Sequence, residues 1–138
     1  MGRVINIESA GKDRTRMVKC VVLALRTLMR QGEPDAASMD LAAYISITLK
    51  DIYTTVEPSV AAWEKKDYWV KADRFRMEWE WTAKVGEQLR LALLDQNWGE
   101  IARHCVLIAQ KFSKVDVPLR NRLGTPWIGA WAVLEKNR

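Results

Sequence analysis

The stretch Arg74-Phe75-Arg76-Met77-Glu78-Trp79-Glu80-Trp81 decides the fold. Charged and apolar residues alternate strictly through it, the period-two pattern of a half-buried strand. Working outward, the pattern changes. Tyr68, Ala72, Phe75, Trp79, Ala83, Gly86 and Leu89 recur at three- and four-residue spacing and carry a helical stripe straight through the same residues. No glycine, proline or turn cluster bounds the alternating run, and no other segment offers it a pairing strand. Helix is therefore the reading. On a helix, Phe75 and Trp79 share one side while Met77 and Trp81 lie nearly opposite. Such a helix is apolar on two sides, so it is central in a bundle or covered by another chain.

Four of the seven tryptophans, Trp63, Trp69, Trp79 and Trp81, fall in this region among dense charges of both signs. Large aromatics give much buried area at low entropy cost, so the region is either the centre of a core or a contact surface.

The flanking segments are also helical in period. Val18, Val21, Val22, Leu25, Leu28 and Met29 mark a first helix from Ser9 or Asp13 to Gln31, stopped by Gly32 and Pro34. Asp35 or Ser38 caps a second, with Leu41, Ile45, Leu49, Ile52 and Val56 as its stripe. Pro58 breaks or kinks it near Glu57, with a short continuation from Ser59 to Lys66. The aromatic helix comes third. Asn97, followed three residues later by Glu100, resembles a capping box for a fourth helix striped by Trp98, Ile101, Cys105, Ala109 and Phe112. Thr125-Pro126 signals the start of a last short helix to about Lys136. Residues 1–8 read as an extended N-terminal arm. The expected fold is all-α: an irregular bundle of four long helices plus a short C-terminal one, forming a single domain over residues 1–138.

Composition agrees. The chain has 138 residues, 49% hydrophobic and 28% charged, with only seven glycines and four prolines, which favours long uninterrupted elements over a turn-rich β fold. No secretory leader pattern opens it, and no apolar run reaches the roughly 18 residues a membrane span needs. The expectation is a soluble cytoplasmic protein with no membrane partner. Cys20 and Cys105 sit on apolar stripes and read as small buried hydrophobes.

No catalytic constellation is visible, so the reading leans away from an enzyme. The one histidine, His104, shares a helical face with Glu100, but metal and catalytic sites need further ligands or a nucleophile that the pattern does not supply. Asp73, Glu80 and Glu87 recur every seven residues with basic neighbours within a turn, the pattern of a salt-bridged face. No metal site and no cofactor is expected. Trp98, Ile101, Ala102 and Cys105 resemble the first helix of a tetratricopeptide repeat. Lys114 and Pro118 then stand where that repeat wants small and aromatic residues, and no second copy follows, so the resemblance goes no further.

Charge is uneven. Residues 1–31 carry seven basic and two acidic residues, and residues 96–138 carry seven and three, while residues 32–63 carry one and five. Lys12, Arg14 and Arg16 lie in or beside the first turns of helix one, where the backbone already carries partial positive charge. With Gly11 and free amides they form a candidate anion cradle, which Arg120 and Arg122 of the last loop could join. The leading expectation is a non-enzymatic interaction or assembly module, homodimeric through Met77, Trp81 and Val85, or one that engages another protein. The alternative is a nucleic-acid-associated protein making weak, salt-sensitive phosphate contacts through Lys12, Arg14, Arg16, Arg120 and Arg122.

Overall fold

The computed structural model describes residues 7–138 and is all-α. Its elements are α1 (Ile7–Met29), α2 (Ala36–Thr54), α3 (Val56–Lys65), α4 (Trp69–Leu94), α5 (Trp98–Lys111) and the short α6 (Ala130–Lys136). The alternating run lies wholly inside the 26-residue α4. Residues 1–6 of the expected N-terminal arm lie outside the described residues, and α1 is already helical from Ile7.

Helices α2 and α3 are nearly one element, parted at Thr55. Pro58 stands in the first turn of α3, where its missing N–H costs nothing, but its ring crowds the carbonyl four residues back and forces the joint. The joint therefore falls at Thr55, two residues before Glu57, where the sequence pattern places the break. Thr55 is buried there, and its hydroxyl donates to Ile52 O at 2.7 Å.

Helix α4 packs chiefly on α2, with α3 on one flank and α5 on the other. The α2 contact is close because Gly86 has no side chain. A Cβ there would lie 2.8 Å from Lys50 Cγ and 3.1 Å from Ser46 O. The buried Ser46 hydroxyl uses the proximity to donate to Gly86 O at 2.8 Å. Around this contact lies the main core, with Val21, Leu25, Leu41, Ile45, Leu49, Ile52, Val85, Leu89, Leu93, Ile101 and Ile108 buried. A second, smaller core under the α3–α4 hairpin holds Val56, Val60 and Ala72, with Trp63 and Phe75 packed against it. Trp79 touches both cores.

The last helix differs from its sequence signal. Thr125-Pro126 opens only turns, and α6 starts at Ala130 after Gly129, whose φ is 84°. The carboxylate of Asp40 on α2 reaches across to accept from Gly129 N at 3.1 Å and Trp131 N at 3.0 Å, so α6 is capped by another helix.

Both ends of the aromatic helix are bounded by left-handed residues that are not glycine: Asp67 with φ 61° and Gln96 with φ 51°. Each sits in a Schellman closure. Tyr68 N donates to Trp63 O and Asp67 N to Glu64 O; Asn97 N donates to Ala92 O and Gln96 N to Leu93 O. Asn97 then caps α5, its Oδ1 accepting from Glu100 N at 3.2 Å. Gln96 is the more strained, since a left-handed residue with a Cβ costs about 1–2 kcal/mol and glutamine lacks the local bonding that eases aspartate. Gln96→Gly is expected to stabilise the protein by up to about 1 kcal/mol, read from the urea midpoint at unchanged slope.

Candidate interaction surfaces

Arg14 does not face solvent with its basic neighbours. From α1 its guanidinium reaches the α2–α3 joint, where Nη1 donates to both Thr55 O and Thr55 Oγ1 at 3.1 Å. It also lies over the Phe75 ring at 4.8 Å and the Trp79 ring at 5.6 Å. Burial pulls its pKa below the usual arginine range, and the nearby Glu78 carboxylate acts against that shift. The residue ties α1, the joint and α4 together through the carbonyl and two aromatic faces, which a lysine cannot reproduce. This removes Arg14 from the expected anion cradle. Lys12 and Arg16 remain exposed on α1, and Arg120 and Arg122 are exposed in the long α5–α6 connection.

That connection is ordered from its ends. Arg26 of α1 donates to Val117 O at 2.9 Å, Asn121 bonds Pro118 O and Leu123 N locally, and Asp40 pins the far end.

The expected self-association surface divides. Val85 is 4% exposed and belongs to the main core, so it is not part of any surface. Helix α5 covers that side: Trp81 is half-buried against Phe112, ring centroids 5.2 Å apart. Met77 remains 69% exposed. It stands at the rim of a groove of about 930 Å³ floored by Trp81 and Phe112, with Val18 and Val115 at its sides and Glu78, Glu80, Lys84 and Lys111 around it.

A further surface lies at the α3–α4 corner. Tyr68, Trp69 and Val70 are consecutive and more than half exposed. Beside them Trp63 meets Phe75 edge to face at 4.8 Å, and Lys71 Nζ lies 4.8 Å from the centre of the Trp63 ring. The alternating charge pattern pointed to this region without separating its buried rings from its exposed ones. The helix start at Trp69 makes that separation, and no glycine or proline announces it.

A third recess, about 360 Å³, separates the end of α1 from α5 and is walled by Leu25, Leu28, Pro34, Trp98, Ile101 and Cys105. It offers no reactive group. The Ser38 hydroxyl is engaged with Glu33 O and Asp35 Oδ1. Burial pushes the Cys105 thiol up to about 12, which keeps it protonated and non-nucleophilic. His104 lies in a different recess, with Gln88, Asp95 and Asn97, and among the described residues its ion-pair partner is Glu100 at 3.7 Å. Among the described residues no acid, histidine and cysteine group could hold a metal ion, and no helix is long and apolar enough to cross a membrane.

No protein-family model, curated protein or solved structure matches this chain.

Two measurements check this account. Arg14→Ala removes both bonds to the buried Thr55 and the guanidinium over the Phe75 and Trp79 rings and should destabilise by about 2 kcal/mol in urea unfolding, with Arg14→Lys recovering only part. Glu87, held by Arg90 and then by Lys50 at 2.8 Å, has its pKa lowered from 4.5 to about 2. A depressed folded pKa contributes stability present above the unfolded value and lost as pH falls toward the folded one. Melting temperature should therefore drop as pH falls from 4.5 to 2, and Glu87→Gln should flatten that drop while lowering stability at neutral pH.

Proposed function

We propose that this chain is a non-enzymatic protein–protein interaction module that assembles as a homodimer through the groove between α4 and the end of α5. The observation that carries the reading is Met77, 69% exposed at the rim of an aromatic floor made by Trp81 and Phe112. Unbranched methionine adapts to a facing surface, and methionine and aromatics are enriched at interface centres. A two-fold interface must complement itself, because the same patch is used by both copies. This one carries both signs, with Glu78 and Glu80 beside Lys84 and Lys111. A rotated copy can set acids against bases, which fixes orientation more than it adds affinity.

The surface left over is smaller than the sequence pattern implied, since Val85 and half of Trp81 are taken by the chain's own core. Association is accordingly expected to be reversible at micromolar concentration. Multi-angle light scattering should show a mass rising with concentration toward about twice 15.9 kDa. Met77→Glu should hold it at the monomer mass with unchanged circular dichroism. A parent that stays monomeric across the micromolar range, or a Met77→Glu variant that dimerises as the parent does, overturns this reading.

A further inference from the structure

We propose that the α3–α4 corner binds single-stranded nucleic acid, with bases stacked on Tyr68 and Trp69 and phosphates held by Lys71 and Arg74, which line the recess, and by the adjacent Lys65 and Lys66. The surface adjoins the Met77 groove at Glu78, and of the basic residues of α1 only Arg14 reaches its wall, while Lys12 and Arg16 do not line it. Three features carry the inference.

First, aromatic area is presented outward where a fold would ordinarily bury it. Tyr68 and Trp69 are each 55% exposed. They border an open recess of about 940 Å³ whose back wall is the Trp63–Phe75 pair. That pair is braced edge to face, which fixes the wall behind the exposed Tyr68 and Trp69 rings, and it is on those exposed rings that a base stacks regardless of its identity.

Second, the local charges are sorted. Three acids of this hairpin are paired within it. Arg76 binds Glu57 at 3.4 Å, Glu64 at 3.7 Å and Asp73 at 3.3 Å. Arg14, half-buried behind the wall, lies near Glu78. The cations are not answered: Lys65, Lys66 and Arg74 are exposed and have no ion pair among the described residues. Lys71, whose Nζ lies over the Trp63 ring, lines the same recess.

Third, the shape and the remaining acids favour a strand over a bilayer. A lipid surface asks for a convex apolar tip, whereas this surface is concave and has Asp67 and Glu78 in its lining. A carboxylate is costly among acyl chains but accepts hydrogen bonds from the amino groups of bases. Duplex bases are already stacked on one another and leave the rings unused, so the preference is for single strands.

The test is fluorescence anisotropy of the full chain with a labelled single-stranded oligonucleotide of mixed, non-self-complementary sequence, about fifteen nucleotides long, at low and physiological salt. Saturable binding is expected, with tryptophan fluorescence quenched and affinity falling steeply with salt. A duplex of equal length should bind at least about tenfold more weakly. Tyr68→Ala/Trp69→Ala should weaken binding roughly tenfold or more, and Lys65→Glu/Lys66→Glu should abolish it at physiological salt. These side chains are exposed, so circular dichroism should be unchanged in both variants. Lys12→Glu/Arg16→Glu should change affinity less than about twofold. The proposal is overturned by no saturable binding at low salt, by equal affinity for duplex, or by parental affinity in the Tyr68→Ala/Trp69→Ala variant. Loss of binding in Lys12→Glu/Arg16→Glu would move the contact to α1. Trp69-dependent binding to phosphatidylserine vesicles without oligonucleotide binding would assign the corner to a membrane surface.

Discussion

Everything in this fold follows from how near α4 can come to α2. At Gly86 the two backbones approach to a distance that a methyl group would not permit, and the Ser46 hydroxyl converts the approach into a buried hydrogen bond to Gly86 O. Mid-helix glycine ordinarily costs about 1 kcal/mol relative to alanine. Here it admits the contact that seats a two-sided aromatic helix in the middle of the bundle. With α2 beneath it, α4 has two flanks to fill, and α3 and α5 fill them. One flank closes on Phe75 and Trp79, the other on Trp81 and Val85.

The helical class was legible because the three- and four-residue stripe runs unbroken through the alternating residues. The alternation itself has a physical origin: a helix buried on opposite sides places apolar residues two apart as readily as three or four apart. What the pattern could not disclose was which chain would cover the second side. Val85 reads as a surface residue only until α5 is placed over it. The ends of the aromatic helix were legible from their neighbours, the short helix to Lys66 before it and the Asn97–Glu100 cap after it, although Asp67 and Gln96 occupy positions where glycine would have been the usual signal. The start of α6 was missed because its cap, Asp40, lies about ninety residues away in sequence and on another helix.

Arg14 shows the same limit for a candidate site. Three cations in the opening turns of a helix look like an anion cradle when only backbone electrostatics is considered. The joint forced by Pro58 turns a threonine carbonyl and hydroxyl toward α1, and the aromatic faces of Phe75 and Trp79 flank it. A guanidinium answers all four partners at once, so Arg14 goes inward while Lys12 and Arg16 stay out. Its burial is tolerable because Glu78 lies near enough to favour the charged form.

Glu78 borders both exposed features of α4, the Met77 groove and the aromatic corner. Met77 lies eight residues beyond Trp69, about 12 Å along the helix axis at the ordinary rise. Two surfaces so close on one rigid element are not independent in an assembly. If two copies meet at Met77, each contributes a corner to the same particle, held at a separation set by helices and not by linkers. A strand long enough to span both corners then meets the second at a high effective concentration, and the gain comes from geometry without any new contact. The modest number of cations at one corner, too few for firm attachment alone, fits that arrangement. The affinity of a single corner is then tied to the oligomeric state through α4, and Glu78, with Arg14 behind it, marks the boundary between the two surfaces.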